Sequence, residues 1–358
     1  MSKKCVVVAG GTGGHIFPGI AVADYLKQQG WQVSWIGTPD RMEATVVPKH
    51  NIDINFINVK GVRGNGIKRL IKAPFMVLNA ILQARKVLKS EKPDVVLAMG
   101  GYVTGPTGIA AKSLGIPLVI HEQNAIAGMS NKWLAKFANR VLAAFPSAFA
   151  TGQAELVGNP VRESVANIAV REVSSPINIL VVGGSLGAQV LNTTLPAAFA
   201  ELGNTNAISV WHQTGKGHLG SVEAAYKSHK FSTENTKVAE FIDDIDTAYG
   251  WADIVICRSG ALTVSEIAAA GKMAVFVPFP HAVDDHQTAN AQYLVVANGA
   301  LLMPQGQFNQ QSIVALLSPY LAKPSLIKEM AANAKQQAIL DATASVAMHC
   351  EQVTNKRA

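Results

Sequence analysis

Short runs of valine, isoleucine and leucine recur along this chain almost from end to end, each closed by glycines or polar residues and followed by a stretch of helical periodicity. An apolar run without polar alternation is a strand buried on both faces, and strands that alternate with helices are joined by crossovers. The rhythm therefore predicts an α/β architecture built on parallel sheets. The runs fall at residues 5–9, 32–36, 54–59, 95–99, 118–121 and 140–144, and the pattern restarts at 177–182, 208–212, 238–241, 254–257 and 274–277. At 358 residues the chain is longer than one core usually serves. We expect two Rossmann-like, doubly wound domains facing a cleft: residues 1–160 and 177–340, with a linker at 161–176 and a C-terminal helix at 341–358.

The first run ends in Gly10-Gly11-Thr12-Gly13-Gly14-His15, and a helix is expected over 18–29, stopped by Gly30. A strand feeding such a loop and then a helix aims backbone N–H groups and a positive dipole end at one place, which suits an anion. The glycines let another molecule approach the backbone, and His15 is able to exchange a proton near neutral pH. A plain tight turn, with His15 capping the helix, accounts for the same residues. A dinucleotide fingerprint needs glycine where Ile16 stands and an acid where Gly37-Thr38-Pro39 closes the second run, so NAD is disfavoured. No Gly-Lys-Ser/Thr follows, which excludes a P-loop. Two further strand ends carry similar material: Gly100-Gly101-Tyr102-Val103-Thr104-Gly105-Pro106, and His121-Glu122-Gln123-Asn124. In an open parallel sheet such ends converge on one crevice.

In the second half, Gly183-Gly184-Ser185-Leu186-Gly187-Ala188 satisfies the Gly-x-Ser-x-Gly elbow of α/β hydrolases, with acids and then His281 and His286 downstream. The hydrolase elbow, however, sits deep in a sheet already begun, whereas this serine follows the first strand of a domain. A serine hydroxyl at a helix N-terminus holding a phosphate explains the same residues. Arg258-Ser259-Gly260-Ala261-Leu262-Thr263-Val264-Ser265-Glu266 again opens a helix. The amides of 261–263 suit an anion and Glu266 suits vicinal sugar hydroxyls, although Thr263 and Glu266 also read as a capping box. Gln287 and Asn290, after Asp284-Asp285-His286, suit hydroxyl recognition. Two histidines five apart are too little for a metal site, and none is expected.

The formal net charge of +7 favours an anionic partner. It is concentrated at residues 67–90, where Ile71, Phe75, Met76, Leu78, Ile81, Leu82 and Val87 interleave with Lys68, Arg69, Lys72, Arg85, Lys86 and Lys89, with Lys60 and Arg63 just upstream. A core helix with a solvated basic face is one reading; a helix lying on anionic lipid is the other. No nucleic-acid motif accompanies the charge, so nucleic acid is not expected as a partner. No apolar run approaches the roughly eighteen residues that span a bilayer, and no cleavage-like segment follows Lys3 and Lys4, so the chain is expected in the cytosol. Cys5, Cys257 and Cys350, without metal spacing, read as buried apolar groups.

Taken in order, Gly-Gly-Thr-Gly-Gly-His, Gly-Gly-Tyr-Val-Thr-Gly-Pro, His-Glu-Gln-Asn, Gly-Asn-Pro-Val-Arg, Gly-Gly-Ser-x-Gly-Ala, Ala-Leu-Thr-Val-Ser-Glu and Asp-His-Gln-Thr-Ala-Asn resemble the MurG family of peptidoglycan N-acetylglucosaminyltransferases. The resemblance runs from Gly10 to Asn290 and implies the GT-B fold. It implies an inverting transfer of GlcNAc from UDP-GlcNAc to the 4-hydroxyl of the muramyl sugar of undecaprenyl-pyrophosphoryl-MurNAc-pentapeptide. This would take place at the cytoplasmic face of the bacterial membrane, on anionic lipid and without a cofactor. By the same resemblance the donor lies on the second domain. The main chain at Ile242 reads uracil, Glu266 the ribose, and Ser185 with Ala261, Leu262 and Thr263 the pyrophosphate, Val264 and Ser265 standing beside them. Asn124, Arg162 and Gln287 complete that pocket, and Thr12, Gly13 and Gly14 face it from the acceptor side. Gly10, Gly11, Tyr102 and Thr104 belong to the acceptor. For the base that inversion requires, His15 is the first candidate and Glu122 the second. The rivals are a hydrolase using Ser185 and a membrane-surface protein that binds a nucleotide without chemistry.

Overall fold

The computed structural model of the chain describes residues 2–59, 67–169, 171–184, 187–203 and 207–355, without the side chains of 67–73 and 283. Thirteen strands and fourteen α-helices are described. The strands are β1 Lys4–Ala9, β2 Gln32–Gly37, β3 Asp53–Phe56, β4 Val95–Gly100, β5 Leu118–Glu122, β6 Arg140–Ala143, β7 Glu155–Leu156, β8 Ile177–Val182, β9 Ile208–Gln213, β10 Thr236–Ala239, β11 Ile254–Cys257, β12 Met273–Phe276 and β13 Ala300–Leu302. The helices are α1 Gly13–Gln28, α2 Glu43–Val46, α3 Ile67–Glu91, α4 Thr104–Ser113, α5 Met129–Leu134, α6 Glu163–Ala166 and α7 Gln189–Gly203. They continue with α8 Leu219–Ser228, α9 Ile245–Trp251, α10 Ala261–Ala270, α11 His286–Val295, α12 Gln310–Ala322, α13 Ser325–Gln336 and α14 Ala342–Asn355.

Two compact units result: residues 1–161 with 339–358, and residues 162–338. In the first, seven strands pair in the order β3-β2-β1-β4-β5-β6-β7; in the second, six pair as β10-β9-β8-β11-β12-β13. Every pairing is parallel. In each sheet the strand order reverses beside the opening strand, between β1 and β4 and between β8 and β11. That is the switch point where open parallel sheets form their ligand crevice.

The absence of polar alternation has its cause in the two cores of the first unit. Cys5, Val7 and Ala9 of β1 point into one, with Ile16, Ile20, Ala23 and Leu26 of α1; Val6 and Val8 point into the other, with Ala84 and Leu88 of α3 and Ala110 and Ala111 of α4. The strand is buried on both faces because helices cover both. The chain's last helix, α14, returns to the first of these cores with Val346, Ala347, Cys350 and Val353, and Lys3 reaches Glu351 at 2.9 Å. All three cysteines are buried.

The helix expected over 18–29 begins five residues earlier, at Gly13, with Pro18 inside it. The strand expected over 54–59 ends at Phe56, and the short strands β7 and β13 carry too few residues to declare a period.

Candidate functional site

Three strand ends meet at the carboxyl edge of the first sheet. The Gly10 N–H donates to the Gly100 carbonyl at 3.3 Å, and a Cβ on Gly101 would lie 2.2 Å from the Gly10 oxygen, so the two glycine turns touch backbone to backbone. His15 stands in the first turn of α1, whose N-cap is Thr12, and the Thr12 hydroxyl makes no capping bond. His15 is therefore not the cap that a plain turn would make it. Its ring lies against Gly100, where a Cβ would fall 2.5 Å from Nδ1, and Gly100 has a φ of +115°. Both facts require glycine there. The Nδ1 atom is 2.8 Å from Oε1 of Gln123; Gln123 Nε2 is 2.9 Å from Nδ1 of His121, and His121 Nε2 is 2.9 Å from the Gly158 carbonyl. Burial brings the His121 imidazole down to about 4.

Glu122, the second base candidate, is buried and fully engaged. Its Oε1 accepts from the Asn124 backbone at 3.0 Å and from Asn124 Nδ2 at 3.2 Å; its Oε2 accepts from the Gly128 backbone at 3.0 Å and from Asn131 Nδ2 at 2.9 Å. This carboxylate folds the loop after β5. A second buried carboxylate, Glu43, escaped the sequence reading. Its Oε1 accepts from the Thr38 backbone at 2.9 Å and hydroxyl at 2.7 Å, and its Oε2 accepts from the Gly11 N–H at 3.1 Å. It ties the glycine loop to the loop after β2, and it stands six residues beyond β2, where no spacing rule points. Of the acceptor-side candidates, Gly10 and Gly11 lie in this braced loop with Gly13 and Gly14 behind them, and Tyr102 is exposed. Thr104 is buried, its hydroxyl without a hydrogen-bond partner among the described residues.

The second unit gathers another group. Arg162, N-cap of α6, places Nη2 3.2 Å from Glu266 Oε1 and Nη1 3.4 Å from Asp246 Oδ1, while the Tyr249 hydroxyl donates to Glu266 Oε2 at 3.2 Å. Burial pushes the Glu266 carboxyl up and Arg162 draws it back. Asp246 and Tyr249 lie on α9, which carries no motif, and so went unsuspected. The N-cap of α10 is Gly260, three residues ahead of Thr263, so the Thr263–Glu266 capping box does not form and the helix starts without a side-chain cap. Leu262 and Thr263 are half-buried, Val264 is buried, and the Ser265 hydroxyl turns back to the Ala261 carbonyl at 3.1 Å. Ile242 is buried in the loop after β10. Gln287 Oε1 accepts from the Phe279 N–H at 2.9 Å and braces the turn before α11, while Asn290 Nδ2 donates to the Ser259 carbonyl at 3.2 Å and ties α11 to the loop after β11. Ser185 and Leu186 lie outside the described residues. Beside them the Gly187 N–H donates to the Gly184 carbonyl at 3.0 Å, and a Cβ on Gly187 would lie 2.2 Å from the Thr214 oxygen. The strand before it, β8, opens the second unit's sheet, which is not where a hydrolase elbow sits.

On α3, Ala80, Ala84 and Leu88 are buried, while Phe75, Leu78 and Leu82 are 75%, 54% and 56% exposed, a continuous apolar stripe at helical spacing facing outward. Ile81 packs on the core, contrary to its expected outward role, because it flanks Ala80 and Ala84 on the buried face. Met76 is half-buried, Lys86 is exposed, and Arg85 bonds the Ser113 hydroxyl. The side chains of Lys68, Arg69 and Lys72 are not among those described, and Lys60 and Arg63 lie outside the described residues. Among the described residues no helix is long and apolar enough to cross a membrane, and no three His, Cys, Asp or Glu side chains group as a metal set.

The chain matches the glycosyltransferase family 28 N-terminal domain over residues 5–143 and the family 28 C-terminal domain over residues 178–346. It is 52% identical, over 99% of its length and 98% of the relative's, to a protein of Shewanella sediminis named UDP-N-acetylglucosamine--N-acetylmuramyl-(pentapeptide) pyrophosphoryl-undecaprenol N-acetylglucosamine transferase. A protein of the same name from Psychromonas ingrahamii is 52% identical over 98% of this chain and 99% of that one. Among solved structures, MurG of Acinetobacter baumannii aligns with a TM-score of 0.85 at 42% identity, covering 98% of this chain and 99% of its own.

Proposed function

The chain belongs to glycosyltransferase family 28, and we propose on that footing that it transfers GlcNAc from UDP-GlcNAc to the muramyl sugar of undecaprenyl-pyrophosphoryl-MurNAc-pentapeptide. The observation that carries this reading is the 52% identity, over 99% of the chain, to a transferase named for that reaction.

The reaction is a displacement with inversion at C1 of GlcNAc. The acceptor's 4-hydroxyl oxygen forms the new bond as its proton leaves, and the bond from C1 to the UDP oxygen breaks with its electron pair going to the diphosphate. His15 takes the proton on Nε2; Nδ1 is already committed to Gln123. Glu122, with four N–H groups on its two oxygens, braces the loop after β5. In the second unit the start of α10, without a side-chain cap, receives the diphosphate charge, the Ser185 turn assists it, and the main chain at Ile242 meets the uracil. Arg162 orients Glu266 toward the ribose hydroxyls.

The outward stripe of Phe75, Leu78 and Leu82, among the basic residues of α3, supports peripheral attachment to anionic lipid at the cytoplasmic face of the membrane, where a lipid-linked acceptor is held.

Incubation with radiolabelled UDP-GlcNAc and a lipid-linked muramyl acceptor is expected to yield a labelled disaccharide lipid; its absence would overturn the reading. His15→Ala is expected to lower kcat by about 10²–10⁴-fold. Near-normal turnover in that variant would remove the base assignment and leave the transferase reading intact.

A further inference from the structure

His15, Gln123, His121 and the Gly158 carbonyl form a row of hydrogen bonds of 2.8, 2.9 and 2.9 Å, all within the first unit. One end of the row has fixed chemistry: a backbone carbonyl carries no proton and only accepts. His121 Nε2 must therefore carry a proton. His121 is fully enclosed, and with its imidazole lowered to about 4 by that burial the ring is neutral at cellular pH and holds one proton only. Its Nδ1 is then a lone pair, which calls for an N–H from Gln123. The same end of the Gln123 amide also faces the His121 carbonyl oxygen at 3.3 Å, a second acceptor, so turning the amide over would set its oxygen against two lone pairs. With the NH2 group held toward His121, the amide oxygen faces His15. His15 Nδ1 donates to it, and Nε2 is left as the unprotonated nitrogen.

We propose that Gln123 and His121 are positioning residues which, anchored on the Gly158 carbonyl, hold His15 in its Nδ1–H tautomer and so present Nε2 as the lone pair that receives the acceptor's proton. The proposal rests on the reading of His15 as base and deepens it. It gives a reason for an amide where a carboxylate would also orient the ring: glutamine fixes the tautomer without adding a negative charge beside a group that must meet an acceptor bearing a pyrophosphate. It also gives Gly100 a second purpose, since any side chain there would collide with the ring at Nδ1, the atom that meets Gln123.

The test uses the full-length protein labelled with 15N-histidine, with imidazole nitrogens read by two-bond 1H–15N correlation and the His15 signals identified by their loss in His15→Ala. In the unsubstituted protein His15 is expected to show the Nδ1–H pattern. In Gln123→Met, a side chain of similar length that neither donates nor accepts strongly, the Nε2–H form is expected to appear. Its kcat should fall by about 10–100-fold while KM for UDP-GlcNAc stays within about twofold. His121→Phe, which removes the Nδ1 acceptor and leaves only the weaker backbone carbonyl to hold the amide, is expected to show the same tautomer change in part. An Nε2–H pattern in the unsubstituted protein overturns the proposal, and so does a Gln123→Met enzyme with unchanged tautomer or unchanged kcat. If Gln123→Met fails to fold, the spectrum of the unsubstituted protein still decides the tautomer. Failure of the base reading looks different: His15→Ala would then keep its kcat whatever the spectra show.

Discussion

Glu122 and Gln123 are adjacent on one strand end and are occupied in opposite ways. All the donors to Glu122 come from residues 124–131, so its carboxylate folds that loop. Glu122→Gln turns one acceptor oxygen into an NH2 facing N–H groups. It should therefore destabilise the first unit by roughly 1–3 kcal/mol, seen as a lower thermal midpoint with a partial loss of turnover. Unchanged stability with abolished turnover would instead make Glu122 a chemical participant. A buried histidine in the second unit titrates in a readable way. His212 accepts from the Tyr226 hydroxyl at 2.9 Å and donates to Asn192 Oδ1 at 3.0 Å, and burial holds its pKa at about 3, well below the ordinary histidine value near 6.5. Between those limits the unfolded chain binds the proton and the folded one does not. Stability is therefore intact above pH 6.5 and is lost as pH falls toward 3, by roughly 2 kcal/mol at pH 5 relative to pH 7.5. In His212→Gln the difference in unfolding free energy between pH 7.5 and pH 5, from urea titrations, should shrink by about that amount; an unchanged difference would remove the assignment.

At the scale of elements, strands and turns were legible because they depend on neighbours in sequence, and the couplings between them were not. The runs at 5–9 and 177–182 announce β1 and β8, and the glycines after β1 and β4 mark the switch point. The start of α1 was hidden by composition, since glycines are weak helix formers and Pro18 looks like a first helical residue. What extends the helix back to Gly13 is the packing of Ile16 and Ile20 on β1, a tertiary effect. The row from His15 to Gly158 joins residues 108, 2 and 37 positions apart, and no spacing rule reaches across such intervals. Glu43 was missed for the same reason. Helix α3 was legible in content but ambiguous in direction: its basic residues suit solvent or lipid equally, and the lipid reading rests on the exposure of Phe75, Leu78 and Leu82, which the sequence alone does not give. Vesicles containing anionic lipid are expected to retain the protein in flotation, neutral vesicles poorly, and the triple substitution of these three residues by serine should abolish retention without changing the thermal midpoint. Equal retention by both vesicle types would refute the electrostatic contribution.

For the molecule as a whole, the two units share one sheet order over six strands, yet they are not equivalent along the chain, because the first adds β7 and is completed by α14. Val346, Ala347, Cys350 and Val353 of α14 lie in the same core as Val7, Leu97 and the inner face of α1, and Lys3 Nζ bonds Glu351 and Asn355 at 2.9 and 2.8 Å. Burying a valine-sized side chain stabilises by roughly 1.5–3 kcal/mol, so removing the helix takes away several kcal/mol of the roughly 5–15 that hold a domain folded. No residue of α14 stands in the described core cluster of the second unit, which runs from Ile177 to Met330. A chain ending at residue 338 should therefore lose amide-exchange protection in β1 and β4 by orders of magnitude while β8 and β11 keep theirs. UDP-GlcNAc binding, which we propose for the second unit, should survive, and transferase activity should not. Persistent protection in β1 and β4 would mean that the first unit's core closes without α14, and the uneven dependence of the two units on the chain's end would have to be abandoned.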